Sequence, residues 1–136
     1  MCVWGVSVLE YLGCYRDVYA ANERDLLGSL LLNDDGANLI TPSYCEDYCG
    51  TRQFAYVGVQ YGSECWCGNS YGKHGRLEDS ECSTPCVGDA SLVNQCGGAL
   101  ANSVFKVTKQ YEKPPPHPND GRPLLALVMI VKDEGQ

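Results

Sequence analysis

The sequence predicts a small disulfide-rich α+β domain in which one short helix packs on an antiparallel sheet. Three observations carry that reading. Nine cysteines stand among 136 residues, against two methionines and two phenylalanines, so cysteine replaces much of the usual apolar filler. Eight of the nine (Cys14, Cys45, Cys49, Cys65, Cys67, Cys82, Cys86 and Cys96) form one block, an even set that suggests four bridges, with Cys2 outside it. Finally, a capped helical segment bearing Cys-x3-Cys is followed by extended segments ending in Cys-x-Cys.

The elements follow in order. "EYLGCY" (10–15) alternates as a strand, and 24–40 reads as a long mixed connection with a turn at Asn33-Asp34-Asp35-Gly36. "TPSYCEDYCG" (41–50) is a helix. Thr41 can cap it, Pro42 suits the first helical position and Gly50 suits the C-terminal stop. Ser43 with Glu46 offers a capping box one register later. "QFAYVGVQY" (53–61) and "SECWCG" (63–68) are strands joined by a tight turn at Gly62, and "SVFKV" (103–107) closes the sheet. Residues 8–108 form the domain. The five prolines of "TKQYEKPPPHPNDGRP" make 109–123 an extended linker, and the apolar, β-branched "LLALVMIV" opening 124–136 reads as the first buried strand of a further domain. Cys2 is expected to be a free thiol near a frayed terminus.

Cysteine spacing restricts the pairing. Cys45 and Cys49, four apart on a helix, share a face, as do Cys65 and Cys67, two apart on a strand. A Cys65–Cys67 bridge is disfavoured, because alternate strand residues lie about 6.6 Å apart with parallel side chains. Helix-to-strand bridges Cys45–Cys65 and Cys49–Cys67 are therefore expected, each closing a loop worth roughly 3 kcal/mol. With both flanking thiols turned to the helix, Trp66 must face away from it.

The formal net charge of −7 argues against nucleic acid, whose phosphates need clustered Lys and Arg, and against an anionic membrane surface. An uncharged glycan meets no such objection. The longest apolar run, 124–131, is far short of the roughly 20 residues of a spanning helix, so no membrane insertion is expected. "MCVWGVSVLE" lacks the marks of a secretory leader, so a secreted module of this kind is expected to come from a longer chain. No Asn-x-Ser/Thr sequon occurs.

"YLGCYRD", "CEDYC", "YVGVQYGSECWCGNSYG", "CSTPCVGD" and "NQCGG" before "SVFKV" stand in an order and spacing that resemble the WSC domain, over about residues 10–107. The resemblance implies a PAN/apple-like fold with four disulfides, adding Cys14–Cys82 and Cys86–Cys96 to the two expected from spacing. It also implies an extracellular or secretory-pathway location and a glycan ligand, usually β-glucan. "LLALVMIVKDEG" resembles the opening strand of family-2 (GT-A) glycosyltransferases, where Lys132, Asp133 and Glu134 would approach a nucleotide-sugar pocket.

The expected function is thus a non-catalytic, monomeric module that holds an attached enzyme on cell-wall polysaccharide. The alternative is a structural or protein-interaction module of a nucleotide-sugar glycosyltransferase. Sugar rings stack their C–H patches on aromatic faces, and their hydroxyls seek amides and phenols. Along 53–61, Ala55, Val57, Val59 and Tyr61 share one face and Tyr56, Gly58 and Gln60 the other. The expected sugar surface is therefore Trp66, Tyr56 and Gln60, with Asn69 and Tyr71 in the loop beyond. Tyr11 and Tyr15 are assigned to packing, and Tyr44 and Tyr48 suit either role. No cofactor or metal is expected. Cys-x-Cys and Cys-x3-Cys with His74 and His117 offer ligands, but eight cysteines on matched faces suit bridges better than a four-ligand zinc site. "GSECW" is similar to a papain-type nucleophile motif, but its histidine and asparagine partners would fall beyond residue 136. His74 is expected to be simply exposed.

Overall fold

The computed structural model describes residues 9–33, 36–93 and 95–109. Its strands are β1 (Glu10–Arg16), β2 (Ser29–Leu32), β3 (Tyr56–Gln60), β4 (Glu64–Gly68), β5 (Arg76–Leu77) and β6 (Ala101–Lys106), with one α-helix, α1 (Pro42–Thr51). They form one six-stranded sheet in the order β2-β4-β3-β6-β1-β5, with every pairing antiparallel. Short 3-10 turns at Ala21–Glu23 and Asp79–Cys82 complete the elements. The small disulfide-rich α+β architecture is as expected. Cys2, Asp34 and Asp35 of the expected turn, His117, the linker from residue 110 and the 124–136 strand lie outside the described residues.

α1 begins where capping chemistry places it. Thr41 is extended, and its Oγ1 accepts a hydrogen bond from the amide of Tyr44 at 3.1 Å, with Pro42 opening the first turn. The capping-box alternative does not form. Glu46 is instead buried, and its Oε2 accepts from the backbone amides of Thr108 (2.9 Å) and Lys109 (3.3 Å), while Lys109 Nζ reaches Asp47 at 2.5 Å. The C-terminus also differs from expectation. Gly50 is a buried position inside the helix, which runs on through Thr51, and Gln53 takes the left-handed conformation (φ 68°) just beyond its end.

β3 and β4 are joined by the three residues 61–63, which turn on Tyr61 (φ 55°) and Gly62 (φ 76°), both left-handed, closed by Ser63 N–H donating to Gln60 O. This is the primed hairpin geometry that matches strand twist. β3 begins at Tyr56 rather than residue 53, because the helix exit occupies 52–54. Two strands lie where none was expected, β2 within the 24–40 connection and β5 beyond the Cys-x-Cys strand. β2 is a short edge strand of leucines with no polar–apolar alternation to betray it, and β5 is two residues long.

All four bridges are present: Cys45–Cys65, Cys49–Cys67, Cys14–Cys82 and Cys86–Cys96, with Cα separations of 5.3, 5.4, 6.0 and 5.2 Å. The first two tie α1 to β4, as the matched faces required. Around them Ile40, Val57, Val59 and Phe105 complete a core that is largely sulfur. All eight sulfurs of the block are bonded to one another, which removes them as metal ligands and nucleophiles.

The other face of the sheet is covered by the segment after β1. Leu26 sits on Gly58 and Gly68, and a Cβ on Gly58 would come within 2.4 Å of Leu26 Cδ1, so glycine is needed there for close approach rather than for a turn. Asp17, itself buried, organises this cover. Its Oδ1 accepts from the amides of Val18 and Asp25 and its Oδ2 from Gln60 Nε2, each at 2.9 Å, and Arg24 Nη1 donates to Oδ2 at 2.8 Å. Asp25 then pins the next loop, accepting from Gly72 N at 2.8 Å and Lys73 N at 2.9 Å.

Candidate functional site

Trp66 alternates on β4 with Cys65 and Cys67, so its indole leaves the sheet on the side away from α1, partly exposed. Its Nε1 donates to Glu64 Oε1 at 2.9 Å, which fixes the ring plane. The guanidinium of Arg24 lies over the indole at 4.4 Å and beside the Tyr19 ring at 5.2 Å. Both contacts are in cation–π range. Arg24 is held there by its bond to Asp17, so the buried carboxylate sets the position of a cation wedged between two rings. Burial pushes the Asp17 carboxyl up, but the bonds from Gln60, Arg24 and the amides of Asp25 and Val18 outweigh it and hold the group below its ordinary range.

Trp66, Arg24 and Tyr19 wall a groove of about 560 Å³ whose remaining lining includes Leu26, Leu27, Gly28, Ser29 and Leu30. Tyr19 is 79% exposed and Leu27 57%, so the groove has an aromatic and aliphatic rim. A mostly apolar trough with a few oriented polar groups is the usual form of a small-ligand site.

The other expected site residues separate from Trp66. Tyr56 and Tyr71 form a second cluster with Tyr15. Tyr71 meets Tyr15 edge-on with centroids 5.1 Å apart and Tyr56 at 4.8 Å. Burial, then the neighbouring phenols Tyr15 and Tyr56, push the Tyr71 hydroxyl's pKa up, so it stays protonated and able to donate. Asn69 is exposed beside this cluster, its Oδ1 accepting from Ala55 N at 3.0 Å. Leu26, plugged over Gly58 and Gly68, stands between the two aromatic groups, and among the described residues no ring contact joins them. Gln60 does face away from the helix, but it is buried, and its Nε2 donates to Asp17 Oδ2 and Asn102 Oδ1. It is not offered to solvent, because the covering segment closes that part of the face.

Of the remaining aromatics, Tyr11 packs on Phe105 at 5.4 Å and donates to Asp79. Tyr48 lies under Arg52, and its hydroxyl bonds Ser29 and Leu30 of β2, a structural role. Tyr44 is partly exposed on α1, near Leu32 and Leu39. His74 contacts the backbone carbonyl of Glu23 rather than standing free. Tyr19 and Arg24 were not singled out from sequence. The signal for them was the acid–base pair of Asp17 and Arg24 bracketing a tyrosine, which is intelligible only once Trp66 is known to face the same segment.

Among the described residues no group of three or more His, Cys, Asp or Glu side chains is arranged to hold a metal ion, and no helix is long and apolar enough to cross a membrane.

Residues 11–98 match the WSC domain. Similar proteins include Xylosyltransferase oxt of Drosophila pseudoobscura pseudoobscura, 38% identical over 96 residues, which cover 70% of this chain and 10% of that protein. A putative fungistatic metabolite of Chaetomium globosum is 34% identical over 111 residues, covering 81% of this chain and 47% of the relative. Kremen protein 1 of Mus musculus is 35% identical over 89 residues, covering 64% and 17%. The chain thus spans between a tenth and about half the length of these relatives. With four bridges in place, the helix on its sheet and the match running from β1 to the last cysteine loop, the chain belongs to the WSC domain family.

Proposed function

We propose that residues 8–108 are a non-catalytic, monomeric carbohydrate-binding module. It acts outside the cell or in the secretory lumen, where disulfides persist, and holds an attached enzyme on an uncharged, β-glucan-like polysaccharide. The observation that carries this is the Trp66 groove: an indole and an exposed phenol flank a guanidinium fixed by a buried carboxylate. Sugar C–H faces would lie on Trp66 and Tyr19, and hydroxyls would bond Arg24 and Glu64. Tyr56, Tyr71 and Asn69 would extend the contact along the same side of the sheet. In this reading residues 109–123 are a linker and 124–136 the opening strand of a glycosyltransferase-like domain. Tethering would raise that domain's effective substrate concentration.

Retention of the chain on insoluble β-glucan and chitin tests the proposal. Trp66→Ala with Tyr71→Ala should abolish retention while leaving the four bridges and the melting transition intact. Unchanged retention by a folded double variant would refute it. The similarity to Xylosyltransferase oxt favours a second reading, a structural or protein-interaction module of a nucleotide-sugar glycosyltransferase. A polysaccharide array with no positive, together with saturable binding to a protein, would select it.

A further inference from the structure

A second groove, about 890 Å³ in volume, opens on the other side of Tyr19 and is lined by Arg16, Arg76, Glu78, Asp79, Glu81 and Leu100 among others. Tyr19 belongs to both grooves, as their common ridge, and Asp17 lies in the wall of the second while holding the Arg24 that lines the first. The two troughs differ in chemistry. The first is aromatic and aliphatic. The second carries two guanidinium groups and three exposed carboxylates, with Leu100 as an exposed apolar contact. Donors and acceptors interspersed in this way suit hydroxyls, which both give and accept hydrogen bonds. Three carboxylates against two guanidiniums, on a chain of net charge −7, repel a polyanion.

We infer that the two grooves are one binding track for an extended, uncharged glycan chain that crosses Tyr19, with Trp66 gripping one stretch by stacking and the Arg16–Arg76–Glu81 trough gripping the next by hydrogen bonds. The inference rests on the carbohydrate-binding reading above and specifies its ligand: several consecutive neutral sugar units rather than a chain end. Each groove has the size of a small-ligand site, about 300–1,000 Å³. One occupied groove therefore accounts for a short oligosaccharide and two for a longer one.

The test is a titration of the 136-residue chain with soluble β-glucan oligosaccharides from disaccharide to octasaccharide, followed by calorimetry or NMR shifts. Affinity should rise at least tenfold between disaccharide and hexasaccharide and then level off. Arg16→Ala and Glu81→Gln, both at exposed side chains, should each weaken the hexasaccharide about fivefold, the size of one lost hydrogen bond, and leave the disaccharide unchanged. Trp66→Ala and Tyr19→Ala should each weaken every length, and Tyr19→Ala should in addition remove the gain between disaccharide and hexasaccharide. Oligouronates of equal length should bind at least tenfold more weakly. If Trp66→Ala weakens binding but affinity is independent of length and of Arg16 and Glu81, the two-groove track is overturned while the carbohydrate-binding reading stands. Tighter binding of the uronates overturns the uncharged ligand. No binding at any length by a folded chain overturns both readings.

Discussion

Replacing Asp17 by Asn removes one charge and one acceptor at the point where the covering segment is fixed to the sheet. The side chain is 1% exposed and its Arg24 partner 14%, so solvent screens the pair little. Asn retains an oxygen for the amides of Val18 and Asp25, but turns an NH2 group towards two donors, Arg24 Nη1 and Gln60 Nε2. Breaking a buried ion pair by removing one partner costs about 3–5 kcal/mol. The retained oxygen places this case near the lower end, about 3 kcal/mol, a large share of a typical 5–15 kcal/mol domain stability. With urea slopes of about 1–3 kcal/mol per molar, the unfolding midpoint of the oxidised protein should fall by about 1–3 M. The pH dependence follows from the depressed folded-state pKa. The carboxylate's stabilisation is complete above the unfolded value, near pH 4, and is lost as pH falls through the lower folded value. The gap between wild type and Asp17→Asn should therefore be constant from pH 5 to 7 and narrow below pH 4. Glycan retention should weaken as well, because Arg24 loses its anchor between Trp66 and Tyr19. A loss under about 1 kcal/mol at pH 7, or a gap that widens in acid, would refute the placement of Asp17 as the hub of this face.

Other substitutions probe separate parts of the structure. Gly58→Ala would push a Cβ to 2.4 Å from Leu26 and 3.0 Å from Asn102, and should cost about 1–3 kcal/mol in thermal unfolding while displacing Leu26 into the Trp66 groove. Removing the Cys49–Cys67 bridge by double replacement with Ser should cost roughly 3 kcal/mol by the loop-entropy estimate and loosen the Cys67 end of β4 against α1, read as reduced amide-exchange protection there, while Cys45–Cys65 still holds the two elements together. Thr41→Ala should lower stability by about 0.5–2 kcal/mol in urea unfolding without altering sugar binding, since the cap lies on the far side of the sheet.

Legibility from sequence divided along physical lines. The helix, the hairpin and the two central bridges were readable because capping residues, turn glycine and thiol spacing are local, periodic signals. The outward face of Trp66 followed from the same alternation. Gln60 shows where this stops. Its face was correctly assigned, yet its burial depends on Leu26 and Asp17 arriving from a segment forty residues earlier, and no local pattern encodes that return. Gly58 and Gly68 are the only local trace of it, two glycines in neighbouring strands that serve as seats for Leu26. β2 escaped for a different reason: a four-residue edge strand of one serine and three leucines has no period to detect. Glu46 looked like a capping partner because the sequence cannot reveal that β6 returns its end to the same helix turn.

That return has a directional consequence. Glu46 and Asp47 clasp Thr108 and Lys109 against the helix, while the Trp66 groove opens on the opposite side of the sheet. The domain is consequently two-sided. If the Trp66 groove lies on a polysaccharide, Thr108 and Lys109 stand on the side of the sheet turned away from it, anchored by two carboxylates of α1 that take no part in the contact.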